Sequence, residues 1–194
     1  MYAFYVIALE TGMRMGEILG LTWDCVDFKE GIIDIQKTLC YIPNNGDAIY
    51  EFHQTKTKAG KRKIPMTKKV KEVLLEQKKR KNQIIMRHPV AYPGMENLVF
   101  CSKTNRPVHE SNIRAAIRYR VNKINEENPQ SEFKAFTPHC LRHTFATKAI
   151  DKGMRPKTLQ KILGHNSLQM TMDLYCHVEE STLKTEMALI GEVV

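Results

Sequence analysis

The hydrophobic period of this chain changes from strand-like to helical at Thr67, and that switch limits the possible architecture more than any other feature. Before it, Gly31-Ile32-Ile33-Asp34-Ile35-Gln36 is short, β-branched and partly alternating, the pattern of a half-buried strand. Asn44-Asn45-Gly46-Asp47 is a strong hairpin turn, because Asn and Gly tolerate the positive φ that a two-residue connection requires. The turn predicts a return strand over about 48–57, and a last turn at Ala59-Gly60 leads into a third strand over Lys61–Met66. Ahead of the strands, residues 2–11 read as a helix stopped at Gly12, and Met15–Leu19 as a shorter one closed by Gly20. Beyond Thr67 the period is helical. Val70, Val73, Leu74, Ile84 and Ile85 mark one face of a long basic helix, and Ile113, Ile117, Val121 and Ile124 mark another. His88–Met95 reads as loop and Leu98–Ser102 as a short strand. Further helices are predicted at about 138–152, 156–163, 167–176 and 180–190. The expected fold is mainly α, with one small three-stranded antiparallel sheet near the start.

Charge narrows the partner. The chain carries a formal charge of +9 at neutral pH with a pI near 9.3, which favours a polyanion. The cations are clustered: Lys56, Lys58, Lys61, Arg62 and Lys63 crowd one segment, and Arg114, Arg118, Arg120 and Lys123 another. Nucleic acid is therefore the expected partner. No run of about 18 apolar residues is present, so no membrane span is expected. The five cysteines are widely spread without a CxxC pair, and residues 1–9 lack the length and basic leader of a signal peptide; reduced thiols and a cytoplasmic location are expected.

Three distant segments are richer in polar groups than packing requires. In Thr11-Gly12-Met13-Arg14-Met15-Gly16-Glu17, Arg14 lies between two glycines at a break between helices; taken alone it reads as an exposed turn arginine. In Thr137-Pro138-His139-Cys140-Leu141-Arg142-His143-Thr144, the proline suits a helix start, and His139 and Arg142 are three apart on one face. His139 and His143 have the spacing of a zinc pair but lack the glutamate of HExxH, and a packed structural pair is the plainer alternative. In Leu163-Gly164-His165-Asn166-Ser167, Gly164 ends one helix and Ser167 can cap the next, holding His165 at a tight junction. Tyr175 follows ten residues after His165, and by itself reads as a half-buried core tyrosine.

Together, these segments resemble the tyrosine recombinases, the family of phage, conjugative-transposon and Xer-type integrases. The first matches its leading arginine box, His139–Thr144 its HxLRHT box, and Leu163-Gly164-His165 with Tyr175 its closing element. Thr55-Lys56-Thr57-Lys58, ahead of Lys61-Arg62-Lys63-Ile64-Pro65, is similar to the sheet turn that carries the family lysine. Four elements in order over nearly the whole chain make the resemblance specific. It implies the family's catalytic-domain fold and a metal-free, nucleotide-free cleavage in which Tyr175 attacks a DNA phosphate, forming a 3′-phosphotyrosine and a free 5′-hydroxyl. Arg14 and Arg142 would clamp the phosphate, Lys56 would protonate the leaving oxygen (with Lys58 as the rival), His139 would help deprotonate Tyr175, and His165 would donate to a non-bridging oxygen. Glu17 and His143 would support these groups from behind. Lys58, Lys61, Arg62, Lys63, Arg114 and Arg118 are expected DNA contacts.

The resemblance also implies a double-stranded core site as partner and a homo-tetramer on DNA formed from isolated monomers. Residues 1–177 would be the catalytic domain and 178–194 a tail helix docking on a neighbouring subunit. The family's core-binding and arm-binding domains do not precede the first arginine box here, so the chain reads as a fragment. Three other readings remain. A metal-dependent nuclease would draw on His139, Cys140, His143, His165, Cys176 and His177. A DNA-binding regulator on the same scaffold should have lost a catalytic position. A type IB topoisomerase relative would share the chemistry but reseal the same strand as a monomer.

Overall fold

The computed structural model describes residues 1–44, 47–55, 58–130, 132–175 and 187. Helix α1 (Tyr2–Thr11) is apolar on almost every side and is buried accordingly, packing against α3 (Lys68–Arg87) and α5 (Pro138–Asp151). Gly12 ends it in the left-handed conformation, φ 62°, which glycine adopts without penalty. A Cβ there would lie 2.4 Å from the Phe145 ring and 2.9 Å from Leu163, so the glycine also admits a close approach of three segments. The chain re-enters a helix at once as α2 (Met15–Leu19), with Arg14 as its cap.

The strands differ from the single sheet expected. β1 (Val26–Asp27), β2 (Ile32–Ile35) and β5 (Arg62–Pro65) form a three-stranded sheet in the order β1-β2-β5, with Ile33 opposite both Val26 and Ile64. β3 (Lys37–Asn44) and β4 (Asp47–Gln54) form a separate antiparallel ribbon in which Tyr41 faces Tyr50. The reason is local. A two-residue turn fixes the strand before it and the strand after it as partners. Residues 47–54 are thereby committed to 37–44, which leaves β5 as the partner of β2. Residues 98–102 form no strand, only isolated bridges at Leu98 and Cys101.

Thr67 caps α3 by accepting from the Val70 amide, and α4 spans Glu110–Glu127. Prolines open α5 and α6 (Pro156–Leu163), where the missing N–H costs nothing. α7 is only Gln169–Met172, shorter than the helix expected at 167–176, and turns carry the chain to Tyr175. The main core gathers α1 to α4 and the sheet, while Ala146, Ala149, Leu159 and Leu163 form a second small cluster onto which Leu174 and Tyr175 pack. Apart from Met187, the predicted tail helix at 180–190 lies outside the described residues, as do Asn45 and Gly46. Among the described residues no helix is long and apolar enough to cross a membrane.

Candidate active site

A single buried carboxylate organises the site. Glu17 is 3% exposed and accepts four hydrogen bonds. Oε1 takes Arg14 Nη1 at 3.0 Å and Arg62 Nη1 at 2.9 Å, while Oε2 takes the Arg14 amide and Arg62 Nη2, each at 2.8 Å. Burial pushes the Glu17 carboxyl up, but the Arg62 hydrogen bonds and charge, with those of Arg14, outweigh it and hold the group below its ordinary value. Glu17 is thus ionised, and its position at the third residue of α2 places it where a capping box needs an acceptor.

Arg14 keeps 43% of its side chain exposed and extends Nη2 to the Gly164 carbonyl at 3.2 Å. Arg142, on the inward stripe of α5, is 5% exposed. Its two terminal nitrogens donate to the carbonyls of Gly12 and Leu163, both at 2.7 Å. The two guanidiniums therefore reach neighbouring carbonyls of one turn, Leu163 and Gly164, from opposite ends of the chain. Burial, together with Arg14 and Arg62, pushes Arg142 down to about 9, which leaves it protonated at neutral pH.

His165 follows Gly164, whose φ of 65° makes the turn. Its Nδ1 lies 2.9 Å from the hydroxyl of Thr171, itself wholly buried. Burial and the charges of Arg142, Arg14 and Arg62 lower His165 to about 4, so the ring is neutral at pH 7. His139 sits exposed at the first turn of α5, with its ring edge-on to His143 at 4.7 Å. Burial, then His143, Arg142 and Arg14, lower His139 too, so it is available as a proton acceptor. One cleft of about 370 Å³ is lined by Arg14, Thr38, Glu110, Arg114, His139 and Arg142, and another of about 250 Å³ by Arg14, His139, Arg142, His165 and Leu174 among others. Arg14, His139 and Arg142 are common to both.

Four of the six residues expected to carry the chemistry thus converge: Arg14, His139, Arg142 and His165. The hydroxyl of Tyr175 does not join them here; it donates to the Met154 carbonyl, and the ring packs on the second cluster. Lys56 lies outside the described residues, as does the side chain of Lys58. Lys61, Lys63 and Arg118 are exposed, and Arg114 is exposed while paired with Glu110 at 3.6 Å. Arg62 departs from expectation: it is buried on Glu17, not presented to solvent, because its place in β5 puts it on the same inward face as Ile64. Sequence reasoning also missed Thr171 and Met154, whose roles depend on tertiary placement. Among the described residues, no three His, Cys, Asp or Glu side chains gather into a set able to hold a metal ion.

The free ring of His165 gives a direct probe of this electrostatics. Followed by NMR, it should titrate near 4 in the unliganded protein and move up when inorganic phosphate or a short DNA duplex is added. An anion between the guanidiniums offsets the charges that oppose protonation. Because the folded ring binds its proton less readily than an unfolded one, this group also makes stability fall as pH is lowered from about 6.5 towards 4. Titration at the ordinary value, unmoved by phosphate, would show that the guanidiniums do not act on it.

A mainly helical domain that brings two arginines and two histidines from distant boxes to one cleft defines the class of protein. Residues 1–182 match the sequence model of the phage integrase family, and the chain belongs to that family. It is 33% identical to the transposase from transposon Tn916 of Enterococcus faecalis, across 98% of this chain and 45% of that protein. Identity to the XerC-like tyrosine recombinase of Caldanaerobacter subterraneus subsp. tengcongensis is 28%, across 91% and 45%. Among solved structures, the Tn1549 transposon integrase in complex with transposon right end DNA matches at a TM-score of 0.81 and 32% identity, covering 96% of this chain and 57% of that one. XerA recombinase matches at 0.66 and 25%, covering 100% and 59%. The chain spans about half the length of the curated relatives it matches.

Proposed function

We propose that this chain is the catalytic domain of a tyrosine-type site-specific recombinase that integrates or excises a bacterial mobile element. The observation that carries the reading is a charge excess. Arg14 and Arg62 are both bonded to one carboxylate, Glu17, while the nearby guanidinium of Arg142 is bonded only to backbone carbonyls, and two neutral histidines border them. Such a site is short of an anion. Planar guanidinium donors match the non-bridging oxygens of a phosphodiester, on which charge concentrates as phosphorus is attacked. The relatives that this chain resembles are transposon and Xer recombinases, one of them solved on its transposon end.

In the proposed step, Tyr175 Oη forms a bond to phosphorus and the bond to the 5′-oxygen breaks. His139 assists removal of the tyrosine proton, for which its lowered proton affinity keeps the ring neutral. A hydrogen bond given by Thr171 to Nδ1 would leave the proton of the neutral His165 ring on Nε2, where it would be available to a non-bridging oxygen. Lys56 gives a proton to the departing 5′-oxygen. The 3′-phosphotyrosine conserves the phosphodiester bond energy, so a second DNA end reverses the step without a nucleotide. Burial raises the Tyr175 phenol, and its hydroxyl is held by Met154 in the unbound domain, so attack requires this bond to be exchanged for the phosphate. The exposed Lys61, Lys63, Arg114 and Arg118 would grip the flanking backbone of the core site. The natural assembly would be a homo-tetramer on double-stranded DNA in the cytoplasm, with the tail beyond Tyr175 docked on a neighbour.

The test is covalent capture on a nicked suicide duplex bearing the element's core site. A denaturation-resistant adduct should form in excess EDTA without nucleotide, because cationic side chains fill the role that metals take elsewhere. Cleavage lost on chelation and restored by a divalent ion would point instead to a metal-dependent nuclease.

A further inference from the structure

Arg62 is more enclosed than its place in a lysine-rich turn would imply, and all three of its nitrogens are engaged. Nε donates to the Ile162 carbonyl at 2.5 Å, Nη1 to Glu17 at 2.9 Å and the Gly60 carbonyl at 3.1 Å, and Nη2 to Glu17 at 2.8 Å. A guanidinium that served packing alone would need only one neighbourhood. These partners come from three. Glu17 holds both the amide and the side chain of Arg14. Gly60 ends the short helical turn Lys58–Gly60, which follows the lysine-bearing segment in the sequence. Ile162 belongs to the last turn of α6, two residues before the glycine that sets up His165. That glycine is itself fitted to Arg62: a Cβ at Gly164 would lie 3.0 Å from Nη1 and 3.1 Å from Cδ, and 2.8 Å from the Ala59 carbonyl.

We propose that Arg62 is a positioning residue for DNA cleavage, joining the Glu17–Arg14 pair, the Lys58–Gly60 turn and the His165 turn through one buried guanidinium. The inference rests on the recombinase reading. Arg62 touches no reacting atom; it acts through Glu17 on the aim of Arg14, and through Gly60 and Ile162 on the spacing of the two turns. Lysine keeps its charge but cannot span these partners, since an ammonium lacks the planar fork and the Nε donor.

The measurement is the single-turnover cleavage rate on the suicide duplex, taken beside DNA affinity at matched salt and the melting temperature of each variant. Arg62→Lys should slow cleavage about 100-fold with affinity nearly unchanged, the scale of loss when a reacting geometry slips by about an ångström. In an Arg14→Lys background the same change should alter the rate by no more than about twofold, because a residue acting through Arg14 has little left to disturb. A purely structural arginine would lower stability and multiply its rate loss in full with that of Arg14→Lys. Glu17→Gln nearly keeps the shape but turns one accepting oxygen into an N–H donor facing the arginine donors, which loosens Arg14 and Arg62 together, and it should reproduce the rate loss if Arg62→Lys does not fold. Cleavage at the wild-type rate in the folded variant, or full multiplication with Arg14→Lys, overturns the assignment and leaves the recombinase reading standing. Absence of any adduct from the wild-type chain overturns both.

Discussion

Replacing Tyr175 by phenylalanine should abolish the covalent DNA adduct while leaving DNA affinity and the fold almost unchanged. The substitution deletes one oxygen from a ring that packs against the small cluster of Ala146, Ala149, Leu159 and Leu163. What the fold loses is the hydrogen bond to the Met154 carbonyl, worth about 1 kcal/mol net. For a domain of this size that is a drop of about 2–4 °C in melting temperature. What the reaction loses is the nucleophile, and no neighbouring group replaces it. Tyr41, Tyr50 and Tyr92 belong to or pack against the β3–β4 ribbon, and Tyr119 is exposed on α4. The check is a denaturing gel with labelled suicide substrate beside a binding assay at matched salt, since phosphate contacts make affinity salt-dependent. An undiminished adduct in the phenylalanine variant would remove Tyr175 from the mechanism.

Arg14→Lys and Arg142→Lys should each slow cleavage by at least about 10²–10³-fold, the loss typical of removing one oriented donor from a developing oxyanion. Their effects on the fold should differ. Arg14 is partly exposed and leans on Glu17, which retains Arg62 when Arg14 is shortened, so stability should change little. Arg142 is enclosed and satisfies the carbonyls of Gly12 and Leu163 at once. A lysine there cannot reach both with the same geometry, and a buried acceptor left unpaired costs about 1–3 kcal/mol. Thermal unfolding separates the two variants, and single-turnover cleavage with DNA affinity separates catalysis from anchoring. Equal losses in affinity and rate would mean that these arginines only hold DNA.

Much of this architecture was legible because local rules and tertiary structure agree. Gly12, Gly20 and Gly164 stop helices where the sequence places the stops, Thr67 caps α3, and the prolines open α5 and α6. The sheet was less legible, because the choice of β2's partner is non-local. The turn at 44–47 did hold the decisive information, since a tight turn commits residues 37–44 to the hairpin. Arg62 shows the same limit in the site. Lying within a run of cations, it looks like another phosphate contact. Yet the alternation of β5, with Arg62 and Ile64 inward and Lys63 and Pro65 outward, separates it from its neighbours. The order of the arginine and histidine boxes carried Arg14, His139, Arg142 and His165 to one cleft. No periodicity could indicate that the Tyr175 hydroxyl rests on Met154, 21 residues earlier, because that contact depends on how α6 and the turns after it fold back.

Whether Tyr175 makes the covalent bond to DNA is decided by mapping the adduct. The wild-type chain would be trapped on the nicked suicide duplex in EDTA, digested with protease, and the DNA-linked peptide identified by mass spectrometry, with the released DNA end analysed in parallel. One attachment is expected, at Tyr175 through a 3′-phosphate, with a free 5′-hydroxyl on the departing strand. Attachment at another residue, or a 5′-phosphate on the departing strand, would contradict it.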